Sequence, residues 1–486
     1  MTQQELLLEN KTLKAQLASQ KIQLEQLLKL INGFKSERFV GSDSSKDQLS
    51  LFTKEVPSVA LQTSQEQISY TRSKKTHPGR NQLPENLPVK EIIIEPEEDT
   101  TGFTKIGEVV SETLEYTPAS LVKRRTIRPK YAKPNAEGII IGVLPSRPIE
   151  KSIAEASLLA HILVSKYVDH LPLYRQIQMF KRDFGWCASQ STFCDWINSC
   201  SKLLEPLYNT LKQKIISSDY IQADEFPIKV LDKDKSRSTH QGYQWVYHSP
   251  LYQLVLFNYR KGRGVNGPKE MLENYQGYLQ CDGYKVYDKI GSQKNLSLVG
   301  CLVHARRKFY DAQDNDPQRA NHALKIFAKI YNAEKQIKKQ AAEDLNLKQT
   351  IRLEQIAPLI KEIKSWIEQE SLKVLPKSAI GKAMTYYLNQ YHKLETITLD
   401  PRLELDNNLI ENAIRPLALG RKNYLFAGSH KAAQNSAMLY SFFGSCKINK
   451  VNPREWLQFV LENISDWNIQ ELEQLLPNNF PNLKHM

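Results

Sequence analysis

The succession of apolar runs between residues 220 and 309 constrains this chain more than any other part of it. The run 220–231 is followed by 242–247 and 251–259, which predicts three strands in a row. A helical stretch near 268–275, a strand at 277–282, a short helix to Ile290, a strand at 298–303 and a helix from His304 complete the series. Residues 310–400 carry Lys, Glu, Gln, Leu and Ile at helical spacing with almost no strand signal, and read as an inserted all-α block.

Three strands and then alternating helix and strand is the element order of a ribonuclease-H-like α/β domain, expected at 219–309 and 401–450. Two acidic residues hold special places in it. Asp224 lies inside the first predicted strand, and Asp282 ends the fourth, with Gly283 after it to let backbone or substrate come close. The strands would be neighbours, so carboxylates 282 − 224 = 58 residues apart can face one another across a single ion. Glu225 would point to the opposite face of a regular strand. A third carboxylate comes from a helix: Asp406, Asn407 and Asn408 supply N-cap candidates, and a short amphipathic helix with Glu411 on its polar side is closed off by Pro416. Hard cations such as Mg²⁺ call for carboxylate oxygens on rigid elements, and two such ions about 3.5–4 Å apart serve phosphodiester chemistry. Each residue alone also has an ordinary reading, Asp282 as a turn former and Glu411 with Arg415 as a surface ion pair.

The flanks add a partner. Lys and Arg exceed Asp and Glu by 66 − 53 = 13, a surplus that favours a polyanionic partner. Residues 5–34 carry a heptad seam of Leu6, Leu13, Gln20, Leu27 and Phe34 at one core position with Asn10, Leu17, Leu24 and Ile31 at the other, and a buried Asn10 favours one register, which predicts a parallel coiled-coil dimer, an amphipathic helix packed on its own protein being the other reading. Residues 41–88 have the composition of a flexible basic linker, 90–145 of a small β unit with strands near 92–94, 109–116, 122–131 and 139–143, and 152–215 of helices. Within the last, 189–196 begins with capping residues and continues into an apolar face, as the second helix of a DNA-binding helix-turn-helix would. Residues 451–486 form a helical tail. The cysteines at 187, 194, 200, 281, 301 and 446 make no C-x-x-C pair and read as reduced, mostly buried thiols. No apolar run approaches a membrane span, which places the protein in the cytoplasm.

Several runs carry a resemblance: Ala223-Asp224-Glu225, Cys281-Asp282-Gly283-Tyr284, His304-Ala305-Arg306-Arg307-Lys308-Phe309, and Asn407-Asn408-Leu409-Ile410-Glu411-Asn412-Ala413-Ile414-Arg415-Pro416. Leu419-Gly420-Arg421-Lys422-Asn423, Phe426-Ala427-Gly428-Ser429 and, upstream of them all, Leu163-Val164-Ser165-Lys166-Tyr167 followed by His170-Leu171-Pro172-Leu173-Tyr174-Arg175 belong with them. Taken in chain order they resemble the signatures of the insertion-sequence-sixty-six family of bacterial transposases, over essentially the whole chain.

The resemblance implies a DDE triad of Asp224, Asp282 and Glu411 holding two Mg²⁺ ions, for which Mn²⁺ can substitute, and strand cleavage and transfer on double-stranded DNA, both element ends and target. It also implies an N-terminal leucine zipper, accessory proteins of the same mobile element and a place at the bacterial nucleoid. His304, Arg306, Arg307, Lys308, Arg415, Arg421 and Lys422 are the candidate DNA-binding cations. Two departures stand out. Family members carry paired C-x-x-C motifs in the small β unit, whereas 98–103 and 132–137 hold no cysteine here, so no zinc is expected; and Phe226 stands where the family tends to have a hydroxyl residue. A ribonuclease-H-like nuclease or resolvase that cuts without joining, and a decayed copy that only binds DNA, remain the alternatives.

Overall fold

The computed structural model describes residues 121, 122, 124, 130–132, 139–141 and 146–483, apart from 187, 233–238, 294 and 342–343. The described residues from Arg124 onward belong to one compact unit. The expected coiled coil and linker lie outside the described residues. So does most of the 90–145 region, of which strands β1 (Lys130–Ala132) and β2 (Ile139–Ile141) are described, paired antiparallel with Ala132 opposite Ile139.

Three helices follow, α1 (Ala156–Tyr167), α2 (Leu173–Phe184) and α3 (Gln190–Ile216). Ser189 caps α3 by accepting from the Thr192 amide at 3.1 Å. The buried residues Phe193, Ile197, Cys200, Leu204, Leu207, Leu211 and Ile215 recur three or four apart and form the face that docks on the sheet. Tyr208, also on α3, donates its hydroxyl to the Phe257 carbonyl at 2.6 Å.

The sheet contains β3 (Tyr220–Leu231), β4 (Thr239–Ser249), β5 (Leu254–Arg260), β6 (Gly277–Gln280) and β7 (Leu296–Val299), in the spatial order β5-β4-β3-β6-β7. The first three strands pair antiparallel, and β6 and β7 are parallel to β3. Helices α4 (Asn266–Leu272) and α5 (Lys285–Ile290) make the connections to β6 and β7, because parallel neighbours need a crossover, and α6 (Leu302–Asp311) follows the last strand. Two expected ends shift. The fourth strand stops at Gln280, so Asp282 lies two residues past it, and α6 starts at Leu302, before His304.

Helices α7 (Pro317–Gln340), α8 (Leu345–Ile351), α9 (Ala357–Glu370) and α10 (Ala379–Thr396) make up the long helical segment, with one π turn at Arg352–Ile356. They build a core of their own from residues such as Ile326, Phe327, Ile330, Ile363 and Tyr387, joined to the sheet through Val299, Leu302 and Phe309.

The chain then returns with α11 (Asn408–Tyr424), α12 (His430–Ile448), α13 (Pro453–Asn463), a 3-10 turn and α14 (Phe480–Leu483). Pro416 does not close the Glu411 helix, which runs on for two further turns. Proline removes one N–H and crowds the preceding turn. Beyond it, however, Leu417 and Gly420 are buried, and tertiary packing carries the helix through. Helix α12 is buried all round from Asn435 to Cys446, as a core helix should be, with Lys431, Gln434 and Lys447 exposed towards its ends. Its Ser441 and Ser445 hydroxyls accept from the amides of Phe257 and Val255, at 2.7 and 3.0 Å, and so cover the free edge of β5. Among the described residues no helix is long and apolar enough to cross a membrane. Cys200, Cys281, Cys301 and Cys446 are buried free thiols; Cys194 is exposed.

Candidate active site

The parallel pairing of β3 with β6 sets the site. Gln222 stands opposite Gln280, and Asp224 and Asp282 each lie two residues beyond that pair, on neighbouring chain segments. Both glutamines are buried, and burial of an amide requires partners. Gln222 Nε2 donates to Gln280 Oε1 at 2.9 Å and to the Asp406 carbonyl at 3.2 Å. Gln280 Nε2 donates to the carbonyls of Gly300 and Glu404, at 3.0 and 2.9 Å. The two amides thus fasten the loop 404–406 to the sheet. Helix α11 starts just beyond, with Glu411 in its first turn. Asn407 is its N-cap residue without a side-chain cap bond; Asp406 instead accepts from the Asn408 amide at 3.1 Å and from the Tyr331 hydroxyl at 3.2 Å.

Asp224 and Glu411 share a cleft of about 300 Å³ with Phe226, His304, Arg307, Ile414 and Arg415. Burial pushes the Asp224 carboxyl up to about 8, and the charges of Glu225, Asp282 and Glu411 push the same way, against the Glu225 amide that donates to it. His304 Nε2 lies 3.8 Å from Glu411 Oε1, and burial lowers the imidazole's pKa while Glu411 and Asp282 oppose the shift.

The remaining cations divide. Arg306, Lys308 and Lys422 are exposed outside the cleft lining. Arg421 is turned to the sheet, donating to the Pro227 carbonyl at 2.9 Å with its guanidinium 4.4 Å from the Phe226 ring centre. Phe226 thus supplies a platform where a hydroxyl was expected. Glu225 projects away from Asp224, its carboxylate held by Arg263 and Tyr287.

Among the described residues no three His, Cys, Asp or Glu side chains stand close enough together to hold a metal ion as they are. Magnesium is commonly held by one or two carboxylates, waters and substrate phosphates rather than by an all-protein cage, and an all-oxygen donor set fits that chemistry. Sequence patterns do not mark Gln222, Gln280 or Arg263. They look like ordinary strand and loop residues, and only the three-dimensional pairing gives them a part.

The Transposase IS66 family model matches residues 151–435, a span that contains Asp224, Asp282 and Glu411. The chain belongs to the IS66 transposase family. The family's C-terminal element matches 441–478, and a model described as transposase C of IS166 homeodomain matches 19–92. The uncharacterized protein y4jD of Sinorhizobium fredii is 32% identical over 481 residues, 93% of each chain. The uncharacterized protein y4qI of the same organism is 33% identical over 413 residues, covering 80% of this chain and 75% of its own. The IS66 transposase match covers the sheet, the helical segment and α11 together, and the homeodomain-type match points to DNA as a partner.

Proposed function

We propose that this IS66 family chain is an active DDE transposase, in which Asp224, Asp282 and Glu411 are the metal-holding carboxylates of a ribonuclease-H-like domain split by the helical insertion. The observation that carries this reading is the shared register: Asp224 and Asp282 lie equally far past the Gln222–Gln280 pair, and Gln222 itself holds the loop that delivers Glu411. The strand order, three antiparallel strands and then two parallel ones, supports the fold assignment.

When bound, two Mg²⁺ or Mn²⁺ ions stabilise the attacking and leaving oxygens of a phosphodiester displacement. The chain's own part is to hold the three carboxylates on rigid elements and to present cations to the phosphates. Arg307 and Arg415 line the cleft beside Asp224 and Glu411, within reach of a strand laid along it. Residues 5–34 would pair two chains so that two element ends are held together, with accessory proteins of the element joining at the nucleoid.

The test is incubation of the full chain with Mg²⁺ and double-stranded element ends, with products read by sequencing. Joined products are expected, and Asp224→Ala, Asp282→Ala and Glu411→Ala are each expected to abolish cleavage while retaining DNA binding. Cut but unjoined DNA would mean a nuclease, and binding alone a decayed copy. Any one variant that cleaves within several-fold of wild type removes its residue from the triad.

A further inference from the structure

A closed chain of contacts runs behind the cleft. Glu225 follows Asp224 in β3 and therefore projects from the other face of the strand. Its side chain is 3% exposed, a costly place for a carboxylate without a partner. Arg263 supplies one: Nε and Nη2 both donate to Glu225 Oε1, at 2.9 and 2.5 Å. The Tyr287 hydroxyl donates to the other oxygen at 3.2 Å.

The same guanidinium lies 4.1 Å from the ring centre of Tyr284, whose hydroxyl donates to the Arg263 carbonyl at 2.9 Å. Tyr284 in turn donates its backbone amide to Asp282 Oδ1 at 2.9 Å. The path Asp224, Glu225, Arg263, Tyr284, Asp282 therefore links the two aspartates from behind. Arg263 sits between Gly262 and Gly264 in the connection from β5 to α4, a segment whose own backbone imposes little, so its place depends on this anchorage.

We propose that Glu225, Arg263 and Tyr287 form a clamp that fixes the spacing of Asp224 and Asp282 and so sets the affinity for the divalent ion. Glu225, Arg263 and Tyr287 are positioning residues; none enters the cleft. The inference rests on the two-metal reading above. Its physical basis is that groups which orient metal-holding side chains tune affinity by about 10- to 100-fold without touching the ion. Arg263 also neutralises a fourth carboxylate beside the other three, and without it Glu225 would be left buried and charged next to Asp224.

The test uses the full chain without DNA, Mn²⁺ binding being followed by electron paramagnetic resonance, and then the Mg²⁺ concentration for half-maximal strand cleavage. Arg263→Met is expected to weaken Mn²⁺ binding by about tenfold or more and to raise the Mg²⁺ requirement by the same factor, with cleavage at saturating Mg²⁺ within about threefold of wild type. Tyr287→Phe, which removes one hydroxyl, is expected to shift both in the same direction by about two- to fivefold, with an unchanged thermal midpoint in chelator. A folded Arg263→Met that binds Mn²⁺ as wild type does overturns the clamp, and so does a misfolded Arg263→Met accompanied by a Tyr287→Phe with no shift. If the wild type shows no Mn²⁺ binding that Asp224→Ala removes, the two-metal reading itself has failed and takes the clamp with it.

Discussion

Tyr386 of helix α10 lies against the backbone of Gly283, so close that a Cβ at that glycine would stand 2.7 Å from the ring. The residue that follows Asp282 is therefore a glycine against which a side chain of the helical segment packs. Lys393, on the same helix, pairs with Asp288, and its carbonyl accepts from the Gly300 amide at 2.8 Å. The long helices thus brace the turn that carries Asp282.

Gly283→Ala is expected to displace either the Tyr386 ring or the Asp282 turn. Overpacking of this kind costs about 1–3 kcal/mol, while a misplacement near 1 Å at a reacting centre costs about 100-fold in rate. Cleavage is therefore expected to fall far more than stability, and Gly283→Ala combined with Tyr386→Leu to recover most of it. A single variant with wild-type cleavage would show that the brace does not matter.

Arg352 is fully buried within its π turn and donates to both oxygens of Glu334, at 2.9 and 2.5 Å, and to the Leu403 carbonyl at 2.8 Å. That carbonyl belongs to the segment leading to Glu411. Arg352→Met leaves the Glu334 charge buried and unpaired, and chemical denaturation is expected to show a loss of about 3–5 kcal/mol. Arg352→Met with Glu334→Leu is expected to regain most of that stability, because the uncompensated charge goes with it.

His248 pairs with Gln222 in the β3–β4 register, is 3% exposed, and has its pKa lowered by burial to about 4. The unfolded chain takes up its proton near pH 6.5, so the stability that neutral His248 contributes is full above that pH and is lost as pH falls toward 4. From pH 7.5 to pH 5 this amounts to about 2 kcal/mol. His248→Gln is expected to flatten the fall in unfolding free energy over that range by this amount, and identical slopes in the two proteins would refute it.

Much of the site was legible because strands and carboxylates leave local marks. Asp224 and Asp282 could be paired from the apolar runs that precede them, and Ser189 announced the helix it caps. The end of that legibility is physical. The Gln222–Gln280 pair joins residues 58 apart (280 − 222), and Arg352 reaches Leu403 across 51 residues, so neither contact has a local signature. Pro416 misled for the opposite reason: its local rule is strong, but the burial of Leu417 and Gly420 outweighs it.

The cations of the site are expected to separate into two kinds by salt dependence. A protein that neutralises a phosphate releases counterions, and each such contact adds about 0.9 to the slope of log affinity against log salt on duplex DNA. Arg307 and Arg415 line the cleft with exposed side chains, so Arg307→Ala and Arg415→Ala are each expected to lower that slope by about 1 and to weaken binding evenly across sequences. Arg421 already spends its guanidinium on the Pro227 carbonyl and the Phe226 ring. Arg421→Ala is therefore expected to leave the slope unchanged and to reduce stability by about 1 kcal/mol, the worth of one such hydrogen bond. Fluorescence anisotropy with labelled duplex at several salt concentrations measures all three. If Arg421→Ala alone changes the slope, the phosphate track lies along the far end of α11 and not over the carboxylates.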